Sequence, residues 1–380
     1  MHIRLPLSTG VADYEMNPTG PLPANPGPPP RARVAFAAAH VVLDPASAGH
    51  PRPALDMEAT LGFRRHLWSL GLGVAEAMDT AQRGMGLDWE LARELIRRSG
   101  LEAKATNAAI ACGANTDQLG PGTAHPLDEV LAAYEEQCAF IEDAGAQVIL
   151  MASRALARSA RGPEDYQFIY GRLLSQLQRP AILHWLGEAF DPELKGYWGG
   201  ADASESMEIV LELIGTNRDK IDGIKISLLD ADKEMEMRRR LPGGVRMYTG
   251  DDFHYPELIR GDGQHFSHAL LGIFDGIAPA AACALRALDR GDTTTYEELL
   301  APTLPLSRHI FQTPTYRYKA GLVFLAWLNG FQDHFLMLAG LESARAVEHL
   351  AELFVLADRA RLLMDPELAA ERMQSYLNAR

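Results

Sequence analysis

The sequence contains few of the features that mark secreted, membrane-spanning or nucleic-acid-binding proteins. Its three cysteines, Cys112, Cys138 and Cys283, have no paired spacing, which indicates a reduced, cytoplasmic protein without disulfides. The longest apolar run, residues 320–328, is far shorter than the roughly 20 residues that cross a bilayer. A formal net charge of −14 leaves no concentrated basic face for nucleic acid. We therefore expect a small-molecule substrate and no nucleic-acid or membrane partner.

Two motifs are also missing, and each absence narrows the chemistry. No glycine-rich phosphate turn follows the first apolar run, so an open nucleotide-binding sheet is disfavoured. No pair of candidate ligands has tight metal-binding spacing such as H-x-x-x-H. We therefore expect neither an organic cofactor nor a bound metal.

Short apolar runs that end in small or polar residues recur along the chain and alternate with helical segments of period near 3.6. The runs cover residues 33–40, 73–80, 106–113, 147–153, 180–184, 223–227, 245–251 and 265–272. Eight strands separated by helices predict closure into a (β/α)₈ barrel, the TIM barrel.

The sequence divides into three segments. Residues 1–32 are proline-rich and predict an irregular N-terminal arm, residues 33–292 form the barrel, and residues 293–380 form a C-terminal helical subdomain. The segment 320–338 is almost entirely apolar. Together with the arm it is more hydrophobic surface than one barrel covers, which predicts a homo-oligomer, a dimer or tetramer.

Lys225 is the leading candidate for catalysis. It lies near the end of the apolar strand Gly223-Ile224-Lys225-Ile226-Ser227. Catalytic groups of such barrels sit at the C-terminal ends of strands. A lysine in a desolvated pocket can lose its proton near neutral pH and attack a carbonyl carbon to form an imine. The alternative is a lysine that pairs at the rim with a carboxylate such as Asp251.

Other polar residues end neighbouring strands. His184 is a candidate proton carrier, although a satisfied core histidine is an equal alternative. Arg154 is a possible anion clamp or a surface arginine, and one of Asp251 and Asp252 is expected to bind substrate while the other caps a helix. The predicted substrate-binding residues are Asp79, Thr80, Asn115, Ser153, Arg154, Asp251 and His254.

Two rival functions stay open at this point. Glu76, His184, Asp251 and His254 offer the nitrogen and oxygen ligands of a metal-dependent sugar isomerase or aldolase. A barrel that binds a metabolite without catalysis is the second rival, because fold alone does not fix function.

Several segments, in order, resemble the dihydrodipicolinate synthase and N-acetylneuraminate lyase superfamily. They are Asp143-Ala144-Gly145-Ala146, Asp222-Gly223-Ile224-Lys225, Tyr248-Thr249-Gly250-Asp251-Asp252, Gly276-Ile277-Ala278-Pro279 and Tyr316-Arg317-Tyr318-Lys319-Ala320. The resemblance runs from about Val34 to the C-terminus and indicates a divergent branch of unassigned function. It implies that Lys225 forms the imine.

The departures from the superfamily pattern bear on the substrate. Met78-Asp79-Thr80 stands where the superfamily places a glycine-turn motif that grips a keto-acid carboxylate, and Asp79 would repel that group. His184-Trp185 replaces the tyrosine motif of strand five, and Ser153-Arg154 replaces an aromatic residue after strand four. We therefore predict a lysine-dependent carbon–carbon lyase, aldolase or dehydratase acting on a hydroxylated, sugar-derived carbonyl compound.

Overall fold

The computed structural model describes residues 1–23, 27–120 and 122–379. Its strands, numbered along the chain, are β1 (His2–Leu7), β2 (Gly10–Glu15), β3 (Ala35–Ala38), β4 (Gly73–Glu76), β5 (Ile110–Ala114), β6 (Gln147–Leu150), β7 (Ala181–Leu186), β8 (Ile221–Ser227), β9 (Arg246–Thr249) and β10 (His268–Leu271). Strands β3 to β10 form a closed barrel in the order β10-β3-β4-β5-β6-β7-β8-β9. The sequence prediction of a TIM barrel is confirmed.

The helices follow the strands. They are α1 (Met57–Ser69), α2 (Trp89–Thr106), α3 (Leu127–Asp143), α4 (Arg154–Ser159), α5 (Pro163–Gln176), α6 (Ala203–Thr216), α7 (Ala231–Arg240), α8 (Tyr255–Arg260), α9 (Ala278–Asp289), α10 (Thr293–Leu300), α11 (Thr303–Ile310), α12 (Tyr318–Leu328), α13 (Val347–Arg359) and α14 (Pro366–Asn378). Asp88 caps α2, because its carboxylate accepts the backbone N–H of Leu91 at 2.9 Å. No helix within the described ranges is long and apolar enough to span a membrane.

The chain folds as two compact units. The first comprises Met1–Gly73, Asp79–Gly86 and Gly272–Arg380, and the second comprises Val74–Met78 and Leu87–Leu271. The division at residues 32 and 292 remains a prediction from the sequence.

The N-terminal arm differs from the expected irregular segment, because β1 and β2 pair as an antiparallel hairpin. Alternation along β1 places Ile3 and Leu5 on one buried face. Asp358 of α13 anchors the hairpin by accepting the Tyr14 hydroxyl at 2.7 Å and a backbone N–H at 2.8 Å. Pro26 of the predicted arm lies outside the described residues.

The C-terminal segment is helical, as expected, and residues 293–379 contain no strand. Every residue of α12 is buried within the chain, and Phe324 contacts Phe335 and Tyr376 with ring centroids 5.0 and 5.4 Å apart. The apolar segment therefore forms the core of its own unit. It does not supply the exposed surface from which the sequence predicted an oligomer.

Candidate active site

Lys225 and His184 lie side by side in the second unit. Strands β7 and β8 pair in parallel with His184 opposite Lys225, and Lys225 is in turn opposite Tyr248 of β9. Residues at matching positions of adjacent strands point to the same face, so the register brings the two candidate catalytic side chains together. Lys225 is 6% exposed and His184 is fully buried.

Glycine makes room for the lysine side chain. A Cβ atom added at Gly250 would lie 2.7 Å from Cε of Lys225 and would also overlap Oγ of Ser227. Carbon atoms at van der Waals contact are about 3.5–4.0 Å apart, so no larger residue fits here without displacing Lys225. The glycine of the Tyr248-Thr249-Gly250-Asp251 segment therefore has a steric role at this site.

His184 has an unusual environment for a histidine. Its Nε2 lies 3.3 Å from the Ser227 hydroxyl, whereas its Nδ1 has no hydrogen-bond partner among the described residues. Burial, and then the positive charge of Lys225, hold the pKa of the imidazole well below its usual range. His184 is therefore neutral at physiological pH.

Asp251 stabilises the loop that follows β9 through hydrogen bonds. Its Oδ1 accepts the backbone N–H groups of Phe253 and His254 at 2.8 and 3.1 Å, and its Oδ2 lies 2.9 Å from Nδ1 of His254. Asp251 is buried, while a third of the His254 side chain is exposed. Asp251 therefore orients His254, which is the better placed of the two to meet a ligand.

Three predicted substrate-binding residues of the second unit have local partners. The Ser153 hydroxyl caps α4 by accepting the N–H of Leu156 at 3.0 Å and lies 2.6 Å from the Thr116 hydroxyl. Arg154 donates from Nε to Asp191 at 2.6 Å, so its charge is already paired. Asn115 accepts the next backbone N–H through its side-chain oxygen at 2.7 Å. Hydrogen bonds of this kind are typical of residues that stabilise loops and cap helices.

Asp79 and Thr80 belong to the first unit. Both lie in a short 3-10 turn after β4, where Asp79 is half-buried and Thr80 is buried. The Thr80 hydroxyl lies 2.9 Å from that of Tyr318, the first residue of α12. The sequence prediction that these two residues bind substrate remains untested.

The ligand set of the metal-dependent rival is not assembled. Glu76 accepts the backbone N–H of Ala77 at 2.9 Å and the hydroxyl of Ser99 in α2 at 2.7 Å, so both carboxylate oxygens are engaged there. Across residues 1–23, 27–120 and 122–379, no three histidine, cysteine or acidic side chains come together as a possible metal site. The rival set of Glu76, His184, Asp251 and His254 thus lacks a common centre.

Sequence analysis missed Glu234 of α7. The carboxyl group is buried, its Oε1 accepts the Ser267 hydroxyl at 2.6 Å, and its Oε2 has no hydrogen-bond partner in the described part of the chain. Burial raises the pKa from its ordinary 4.5 to about 8, and the nearby charge of Asp251 adds to the rise. The signal was present, because Glu234, Met237 and Arg238 share the i, i+3, i+4 spacing of a buried helix face.

We expect Glu234→Gln to flatten part of the dependence of stability on pH. A carboxyl whose pKa is raised to about 8 on folding binds more protons in the folded state, so its contribution falls as pH rises from about 4.5 to 8. The neutral amide removes this loss, which is on the order of a few kcal/mol. Urea unfolding of both proteins between pH 5 and 9 checks the prediction. Parallel curves for the two proteins would contradict it.

The fold is that of the dihydrodipicolinate synthases. The structure is similar to those of the enzymes from Aquifex aeolicus (14% identity, 88% of this chain and 99% of that chain, TM-score 0.64) and Thermotoga maritima (14%, 87% and 99%, 0.64). A third, from Acinetobacter baumannii, is described as chloride-inhibited and complexed with pyruvate (16%, 87% and 100%, 0.64). At these identities the likeness shows the fold alone.

The particular family follows from the sequence. Residues 3–380 match the model of a family described as protein of unknown function (DUF993), and the chain belongs to that family. No curated protein matches the sequence. The resemblance to dihydrodipicolinate synthases noted from the sequence is confirmed at the level of the fold.

Proposed function

We propose that the protein is a lysine-dependent lyase, aldolase or dehydratase that forms an imine between Lys225 and a hydroxylated carbonyl compound. One observation carries the proposal. A nearly buried lysine lies directly opposite a buried neutral histidine on the adjacent strand, and Gly250 leaves space beside its Cε. A primary amine held beside a proton acceptor is the arrangement that imine formation requires.

The chemistry can be followed atom by atom. After the Lys225 ammonium has given one proton to His184, its Nζ attacks the carbonyl carbon. A C–N bond forms, the C=O π bond breaks, and one proton passes from the nitrogen to the oxygen to give a carbinolamine. The proton held by His184 then passes to this hydroxyl, which leaves as water and yields the iminium ion. The iminium accepts the electron pair of a bond to the neighbouring carbon. Either the C–C bond from that carbon to the next one breaks, or that carbon loses a proton and a hydroxyl group on the next carbon then leaves.

His184 is suited to accept a proton in this sequence. The Lys225 ammonium is one of the two causes that depress the imidazole pKa. When that ammonium gives up its proton, this opposing charge disappears and Nδ1 becomes a better base. Ser227, 3.3 Å from Nε2, fixes the orientation of the ring.

Hydroxylated substrates fit the available groups better than keto acids do. Arg154 is already paired with Asp191, and Asp79 carries a negative charge at the predicted ligand-binding turn. An acid at that position of the motif disfavours a substrate carboxylate. Hydroxyl groups of a substrate can donate to the oxygens of Ser227 and Asn115. Sugar-derived aldehydes and ketones are therefore the proposed substrate class.

Borohydride trapping with a substrate panel tests the proposal. Purified protein is incubated with hydroxylated aldehydes, ketones and α-keto acids, including pyruvate, and sodium borohydride is added. We expect a mass increase on the peptide that contains Lys225 with at least one hydroxylated carbonyl compound. A compound that binds and turns over without any adduct would reject the imine. Binding without turnover or adduct would favour the metabolite-binding rival.

Chelation separates imine chemistry from the metal-dependent rival. Imine formation needs no divalent ion, so we expect EDTA followed by dialysis to leave turnover unchanged within about twofold. Turnover of the protein before and after treatment, with elemental analysis of both samples, checks this. Stoichiometric zinc, manganese or cobalt that is lost in His184→Ala would support the rival.

We also propose that the protein is a homo-oligomer, a dimer or tetramer, and that it is located in the cytoplasm. Three cysteines without disulfides suit a reducing compartment. The large exposed apolar residues include Val11, Phe168 and Phe266, which are candidates for a subunit contact in place of α12. Sedimentation velocity at micromolar concentration measures the assembly, and a single 41.6 kDa species would contradict it.

A further inference from the structure

The first unit contains a cavity of about 350 Å³ at the start of α12. Its lining includes Tyr316, Arg317, Lys319 and Ala320 on one side and Gly340 and Ser343 on the other. Small-molecule sites usually measure about 300–1,000 Å³, so the cavity suits a small metabolite. It lies outside the groups assigned to the imine chemistry.

The charge of the lining is one-sided. Arg317 and Lys319 are its ionisable cations, and no aspartate or glutamate lines the cavity within the described part of the chain. Arg317 is exposed and forms no ion pair with any described residue. Because the chain has a net charge of −14, a cavity whose charged lining residues are all cations differs in sign from the net charge of the protein.

Lys319 is held at the cavity wall. It is 3% exposed, its Nζ donates to the Tyr316 carbonyl oxygen at 3.2 Å, and Nζ lies 4.5 Å from the centroid of the Tyr318 ring. Burying an ammonium is unfavourable unless a counter-charge or several hydrogen bonds offset the loss of water. The Tyr316 carbonyl oxygen and the Tyr318 ring are among the contacts of this ammonium, and an anion bound in the cavity would add a favourable counter-charge.

Neighbouring groups add to the positive potential. Arg345 donates to the carbonyl oxygens of Gln312 and Pro314 at 2.7 and 3.2 Å, and its pKa is lowered by burial and then by the charge of Arg317. The α12 helix begins beside the cavity with no side-chain cap on its N-terminus. That end of a helix carries partial positive charge.

We propose that this cavity binds a small anion through its carboxylate or phosphate oxygens, with Arg317 and Lys319 as the main contacts. The inference does not depend on imine formation at Lys225. Carboxylate and phosphate groups share the geometry that a guanidinium recognises. The structure therefore indicates an anionic ligand, and the experiment distinguishes a carboxylate from a phosphate.

Calorimetric titration of the full chain tests the proposal with inorganic phosphate and with succinate, and chloride at matched ionic strength is the reference. We expect phosphate or succinate to bind more tightly than chloride. Tighter phosphate binding would identify a phosphorylated ligand, and tighter succinate binding would identify a carboxylate. Arg317→Glu should weaken the preferred anion at least about tenfold, since a charge-assisted hydrogen bond becomes repulsion.

Two matched variants complete the design. Arg317→Lys should stay within a few-fold of the wild type, and Arg52→Glu makes the same charge change at an exposed arginine away from the cavity and should leave binding unchanged. If the Arg317→Glu protein does not fold, Ser343→Trp replaces it in the test. The indole at the exposed rim should block the cavity and abolish binding of the preferred anion. The proposal is overturned if neither anion binds better than chloride. It is also overturned if the Arg52→Glu protein loses as much affinity as the Arg317→Glu protein.

Discussion

Replacing Lys225 with alanine is expected to abolish borohydride labelling and to lower turnover by at least about a thousandfold, because the imine nitrogen is lost with the side chain. Lys225 is nearly buried beside His184, and the proposed imine forms on its Nζ. Turnover of the substrate identified by trapping, together with peptide mass analysis, measures both effects.

Lys233→Ala is the matched control for this experiment. Lys233 belongs to α7 in the same unit, and its Nζ contacts Ser204 at 2.8 Å and Glu236 at 3.2 Å. We expect this variant to keep both the label and the activity. Near-normal turnover in Lys225→Ala would show that Lys225 does not form an imine during the reaction.

Gly250→Ala is expected to lower kcat by about a hundredfold or more in the folded protein. The added methyl group would meet the Ser227 hydroxyl, the backbone carbonyl oxygen of Ile226 at 2.6 Å and Lys225 Cε at 2.7 Å, so both side chains and the adjoining backbone of β8 must shift. A displacement of about 1 Å at a reacting group can reduce the rate by two orders of magnitude. Single-turnover kinetics and the yield of the borohydride adduct measure the effect on Lys225 directly.

Gly243→Ala provides the comparison for Gly250→Ala. A Cβ atom at Gly243 would have no heavy atom within 4 Å, and the residue lies on the exposed loop before β9. We expect wild-type kcat and an unchanged melting temperature for this variant. Equal kinetic losses in the two alanine variants, or none in either, would rule out the steric role of Gly250.

The barrel could be predicted from the sequence because its signals are local. Each barrel strand is a short apolar run, and each helix has its own apolar period, in some cases with a side-chain cap such as Asp88 before α2. Lys225 was identifiable for the same reason. A charged residue inside an apolar strand is unfavourable unless a functional or paired environment surrounds it.

Predictions that depended on partners distant in sequence were weaker. The hydrophobicity of residues 320–328 was visible, but the surface that covers α12 comes from Phe335 and Tyr376, more distant residues of the same unit. Composition does not say whether an apolar helix is covered by its own chain or by another subunit. Similarly, the prolines around β1 and β2 concealed an alternating hairpin that Asp358 anchors.

The sequence by itself determined the order of strands and helices, the barrel class and the candidacy of Lys225, because these follow from periodicity and from single residues in context. Tertiary structure decided what each polar group meets. The register of β7 on β8 placed His184 opposite Lys225, and folding enclosed Glu234 and gathered Arg317 and Lys319 at one cavity. Burial and charge proximity depend on distances between residues far apart in the chain, and those distances fix the pKa values and the available partners.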